Sequence, residues 1–179
     1  MVWVGRAPDE VEAFRRINPN GKVPALVLPD GTSVFESAAI LIHLTGAHPA
    51  AGLAPGAGTA AHAHFLQWML FLSSNVYECA LRSYYPERYS TAGPAAAPGV
   101  KDQAMADYVR HLELIHSALS PYVMGGKLSA ADPYLHMLAE WYPGDVEALH
   151  ARLPKLANHA ELLRRRPAMR KAEQAHKEG

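Results

Sequence analysis

"NPNGKVPALVLPDGTSVFESAAI", residues 18–40, decides how the rest of the chain reads. Asn18-Pro19 stops the helical pattern before it, because a residue ahead of proline leaves the α region. Val23 to Leu28 is an apolar strand run, and Thr32 to Phe35 reads as its return strand. Between them Pro29-Asp30-Gly31 is turn chemistry, with Gly31 supplying the left-handed residue. Glu36 to Gly46 then reads as a helix ending on glycine. Upstream, Pro8 to Ile17 carries Asp9 and Glu10 in a first turn, as a helix start does. Val2 to Val4 reads as a strand stub.

Downstream the pattern changes. Residues 46–58 are rich in Gly, Pro and Ala. Beyond them every signal is helical. An apolar-periodic stretch runs from about Ala60 to Tyr85, and Pro86 to Gly99 is a loop. A second helix spans about Val100 to Leu119, with Met105, Tyr108, Val109, Leu112, Ile115 and Leu119 on one stripe. A third starts at Ser129, and two shorter ones flank Pro167. The Ser129-x-x-Asp132 spacing is a capping box with Asp in the Glu position, and Leu128 sits where a hydrophobic staple would. This is a folding element with no chemistry assigned. The expected organisation is a partial α/β domain over residues 1–48, a linker at 49–58 and an all-α domain over 59–179.

Bulk properties exclude several classes. Of 179 residues, 49% are hydrophobic, enough for a core, so disorder is not the main state. Zero formal net charge gives no overall pull towards nucleic acid or an acidic membrane. The basic run Arg164–Arg166 reads as the solvated last turn of a helix. One cysteine, Cys79, excludes an internal disulfide framework and fits a reducing compartment. No apolar run reaches transmembrane length, and the first residues lack a signal peptide's pattern. A cytoplasmic location is expected.

Two pairs in the opening stretch carry candidate chemistry. A proline opening a strand, as in Val23-Pro24, is compatible with sheet geometry, and taken alone it reads as an ordinary trans proline. With a cis bond, Val23 turns its backbone polar groups outward, where an extended peptide can pair with them. Glu36-Ser37 lies where strand passes to helix. Ser37 reads as an N-cap. Free N–H groups at a helix start also bind carboxylates, the Ser hydroxyl adds a donor, and Glu36 could hold an ammonium group.

The ordered pattern N-P-x-G-x-V-P-x-L, turn, E-S-x-A-I resembles the glutathione-binding half of the thioredoxin-like domain of cytosolic glutathione transferases of the bacterial type. "LSAADPYLHMLAEW", residues 128–141, is similar to the start of the central helix of their all-helical C-terminal domain. The resemblance implies glutathione as co-substrate, a cis bond at Pro24, and Val23 offering its backbone to the cysteinyl unit. It further implies Glu36 and Ser37 at the γ-glutamyl end, and Lys22 as a weaker candidate for the glycine carboxylate. Tyr77 and Tyr84, on the long helix, would line the pocket for a small hydrophobic electrophile. Aromatic residues there also serve as ordinary core or interface. Homodimers are the family's usual assembly, with detoxification as its usual role.

The family carries more residues ahead of the position of Asn18 than this chain does. What it places there is about one βα unit and part of a strand, which holds the Tyr, Ser or Cys that contacts the glutathione sulfur. No residue here matches that group, so the catalytic residue is unknown. The sequence is expected to be truncated, begun at an internal Met, or degenerate. Cys79 lies mid-helix with no histidine at helical spacing and reads as a small buried hydrophobe. His62 and His64 point different ways, and His111 and His116 are five apart, so no metal is expected. The leading reading is glutathione transfer to hydrophobic electrophiles in the complete protein. The alternatives are a non-catalytic binding or scaffold module, or a glutathione-dependent isomerase or dehalogenase on the same fold.

Overall fold

A computed structural model describes residues 8–177. The strand stub at Val2 to Val4 lies outside the described residues. The chain divides into two compact units, Met1–Ala51 and Gly52–Gly179.

In the first unit, helix α1 spans Pro8–Arg15, two residues short of Ile17. Just beyond it the N–H groups of both Ile17 and Asn18 reach the carbonyl of Phe14 at 2.9 Å. Asn18 is buried and clasps the following loop. Its Oδ1 accepts from the Asn20 N–H at 3.0 Å, and its Nδ2 donates to the Lys22 carbonyl at 2.5 Å. Strands β1, Ala25–Val27, and β2, Ser33–Phe35, pair antiparallel with Ala25 opposite Phe35 and Val27 opposite Ser33. β1 is shorter than the apolar run because Pro24 and Pro29 flank it without an N–H for the ladder. The hairpin closes as its turn chemistry predicts. Gly31 has φ 88°, and the Thr32 N–H is held by Asp30 Oδ1 at 2.9 Å. Helix α2, Ser37–Ala47, follows directly and packs on both strands.

The second unit is helical. Thr59 caps α3, Ala60–Phe71, by accepting the His62 N–H at 3.1 Å. A π-helical turn at Leu72–Val76 then joins α3 to α4, Tyr77–Tyr84. The uninterrupted helix read over 60–85 is thus one rod with a bulge, the kind of irregularity that re-aims the side chains beyond it. α5 covers Ala97–Ala118 and packs along α4. On its stripe Tyr108, Leu112, Ile115 and the following Leu119 are buried, whereas Met105 and Val109 are only half-buried. Tyr108 donates to the Leu138 carbonyl at 2.5 Å, and burial pushes its phenol well above the usual range.

α6, Ala131–Glu140, is the central helix, with all but three of its residues buried. α7, Val146–Arg152, was not anticipated, although Asp145 caps it by accepting the Ala148 N–H at 3.0 Å. α8, Pro154–Arg164, and α9, Pro167–Lys177, each begin on a proline, whose missing N–H costs nothing at a helix start.

The capping box forms with its roles rearranged. Asp132 Oδ2 accepts from the Ser129 N–H at 2.7 Å and from its hydroxyl at 3.0 Å. The other oxygen accepts the Val123 N–H at 2.8 Å and lies 3.0 Å from His159 Nε2. The helix starts at Ala131 rather than Ser129, because the Ser hydroxyl is spent on the carboxylate instead of on the helix end. Asp132→Ala strips partners from two backbone N–H groups and a buried imidazole at once. Urea unfolding of the full chain should show a loss of about 3–5 kcal/mol.

Candidate functional site

The hairpin register builds the site in the first unit. Because Ala25 faces Phe35, the segments Val23-Pro24 and Glu36-Ser37 emerge at the same end of the sheet. The Val23–Pro24 bond is cis, the isomer that the resemblance implies. Val23 is 65% exposed, and no hydrogen bond among the described residues uses its backbone N–H or C=O. Lys22 is exposed at its side chain while its carbonyl is fixed by Asn18. Asn18, which stands in the motif and had no role assigned to it, therefore fixes the backbone just ahead of Val23.

At the helix end the assignment of Ser37 as N-cap is corrected. Glu36 occupies the cap position and Ser37 is the first helical residue. Glu36 has φ 75° and ψ 117°, the one non-glycine with positive φ among the described residues, and its side chain makes no capping bond. That geometry carries strain of roughly 1–3 kcal/mol for an L-residue. The first N–H groups of α2 therefore have no side-chain cap and stand open beside an exposed carboxylate and a half-buried hydroxyl. Chemically, such a helix end takes an anion, the carboxylate takes a cation, and the free Val23 edge takes an extended peptide.

In the second unit, Tyr77 and Tyr84 lie two turns apart on α4 and share one cavity of about 330 Å³. Ala80, Leu81, Tyr85 and Trp141 complete it. Tyr84 donates to the Trp141 carbonyl at 3.0 Å, and the Tyr77 and Trp141 ring centroids are 6.0 Å apart. Trp141 escaped the sequence reading because it comes from the end of α6, distant along the chain.

Cys79 is fully buried, as the reading of a small hydrophobe requires. Its own helix offers no histidine, but α5 brings His111 Nδ1 to 3.5 Å, and a guanidinium nitrogen of Arg82 donates to the sulfur at 3.4 Å. Burial pushes the thiol up, outweighing Arg82, and burial together with the Arg110 charge pushes His111 down. Both groups therefore sit uncharged at neutral pH, which makes an inert thiol rather than a nucleophile. Among the described residues no group of three or more His, Cys, Asp or Glu could hold a metal ion, and no helix is long and apolar enough to cross a membrane.

Comparisons with known proteins bear on these sites. A family model described as the glutathione S-transferase N-terminal domain matches residues 1–46. The uncharacterized GST-like protein YncG of Escherichia coli K12 is 29% identical over 139 residues, which make up 74% of this chain and 63% of that protein. The chain thus spans less than two thirds of that relative's length. Probable elongation factor 1-gamma 1 of Arabidopsis thaliana is 32% identical over 126 residues, 69% of this chain and 29% of that protein. A sphingomonad glutathione S-transferase, solved in complex with glutathione, is 31% identical with a TM-score of 0.75. That match covers 90% of this chain and 77% of the solved one.

The strain at Glu36 gives one test. Thermal unfolding should show Glu36→Val less stable than Glu36→Gly by about 1–2 kcal/mol, since a β-branched residue resists positive φ and glycine does not. Equal melting temperatures would remove the strain. The buried imidazole gives another. The folded pKa of His111 is below its unfolded value of about 6.5, so its contribution is fully present above that pH and is lost as pH falls towards the folded pKa. His111→Gln should flatten the fall in chemical-denaturation stability on the acid side of 6.5, and an unchanged slope would exclude His111 as its source.

Proposed function

This chain belongs to the bacterial-type glutathione S-transferase family, and we propose that it binds glutathione at the open end of its hairpin. The observation that carries this reading is the uncapped start of α2, with strained Glu36 at the cap position, beside the exposed Val23. The α-carboxylate of the γ-glutamyl unit binds the α2 N–H groups and the Ser37 hydroxyl. Its ammonium group pairs with Glu36. The cysteinyl unit pairs as a strand with the backbone of Val23, which Pro24 separates from the ladder. Lys22 takes the glycine carboxylate. The glutathione thiol then gives up its proton and the thiolate attacks a hydrophobic electrophile, forming a carbon–sulfur bond as the leaving group departs with its bonding pair. The aromatic cavity at Tyr77 and Tyr84 receives that electrophile. The protein acts as a homodimer.

A second reading is a binding module without chemistry; a probable elongation factor 1-gamma stands among the relatives beside glutathione S-transferases. The two readings share glutathione recognition and differ in thiolate stabilisation, for which no residue of this chain is assigned.

Calorimetry on the purified 179-residue chain should show weak saturable binding of glutathione. Glu36→Ala and Ser37→Ala should each weaken it by about 1–3 kcal/mol through lost charge-assisted bonds. Unchanged affinity in both variants would take these residues out of the site. Turnover of 1-chloro-2,4-dinitrobenzene by the same preparation separates the readings. A rate near the uncatalysed one supports the module, and a rate far above it supports the transferase.

A further inference from the structure

A second cleft, of about 670 Å³, lies between α6 and the α8–α9 pair. Its apolar walls are Met137, Trp141 and Met169, and its polar groups come from His136, Glu140, Arg164 and Glu173. None of these residues belongs to the proposed glutathione site.

The polar groups are unequal. Arg164 and Glu140 pair at 2.7 Å and neutralise each other. Among the described residues no lysine or arginine pairs with Glu173. Its Oε1 lies 3.3 Å from Nε2 of His136, a side chain only 5% exposed. Burial pushes His136 down, more strongly than the Glu173 contact raises it, so the ring is neutral at pH 7. With Nε2 donating to Glu173, Nδ1 of the neutral ring is an acceptor, and that atom is buried with no hydrogen-bond partner. Among the described residues, the uncompensated group that the cleft presents is thus the Glu173 carboxylate, an acceptor set beside an indole and two thioethers.

We propose that this cleft binds an organic amine as its ammonium ion, with the charged N–H group on Glu173 and an apolar body against Trp141, Met137 and Met169. An indole wall favours a cation, and thioethers adapt to the shape of an apolar body. An organic anion fits poorly, because it would have to draw Arg164 from Glu140 while lying near Glu173.

The test uses the full 179-residue chain at pH 7 with 2-phenylethylammonium chloride as probe and 3-phenylpropanoate as its anionic counterpart. Calorimetry should show saturable binding of the amine and none of the carboxylate. Glu173→Gln should weaken the amine about tenfold or more, by loss of the charge-assisted bond. Met169→Lys should abolish it by placing an ammonium inside the cleft. Circular dichroism checks that each variant keeps its helices. If Met169→Lys unfolds, Glu173→Gln on its own decides. Failure of the amine to saturate, equal binding of the carboxylate, or wild-type affinity in Glu173→Gln would each overturn the proposal. None of these outcomes touches glutathione binding, which is measured separately.

Discussion

The second unit depends on one buried carboxylate. Asp132 is fully buried and accepts two backbone N–H groups, one hydroxyl and the contact from His159. It ties the start of α6 to the loop before it and to α8. Breaking such a cluster leaves several groups desolvated and unpaired, which costs more than any one bond contributes. Everything that α6 presents further along depends on that anchor. His136 faces the α9 side of the helix in contact with Glu173, and the Leu138 carbonyl takes the Tyr108 hydroxyl.

The first unit is organised on the opposite principle. The end that carries the proposed site is under-satisfied. Glu36 is held at positive φ, α2 starts without a side-chain cap, and Val23 stands exposed. Stability there comes from elements just behind the site: the Asn18 clasp, the Pro-flanked ladder and the Asp30–Thr32 turn. Strain is tolerated where neighbouring structure over-determines the backbone, which is where ligand contacts are most often found.

Much of this was legible in the sequence, for local reasons. The hairpin followed from Pro29-Asp30-Gly31 between two apolar runs, and the α-helical second unit followed from periodicity. The Ser129–Asp132 contact followed from a spacing of three. What escaped needed distant partners. His159 and Val123 at Asp132, His111 at Cys79, and Trp141 beside Tyr77 and Tyr84 come from other elements, and no local pattern announces them. The reversal at Glu36-Ser37 escaped for a different reason. Residue preference makes Ser the cap, but the hairpin fixes where the chain leaves the sheet and sets the helix start one residue earlier. The π-turn likewise has no signature in "LSSNV" that distinguishes it from plain helix.

Trp141 joins the two cavities of the second unit. It lines the aromatic pocket with Tyr77 and Tyr84 and also the cleft with Met169 and Glu173. Its backbone is pinned, since its carbonyl accepts the Tyr84 hydroxyl and its N–H reaches the carbonyls of Met137 and Leu138. The residue stands 39% exposed. A pinned backbone with a freer ring allows the indole to respond to an occupant on either side while the helix stays in place. If a ligand in one cavity shifts the ring, the affinity of the other must change, and linkage requires that change to be reciprocal. The size of the coupling is set by the rotamer freedom of a single side chain, so it falls at the lower end of the usual range of about 1–3 kcal/mol.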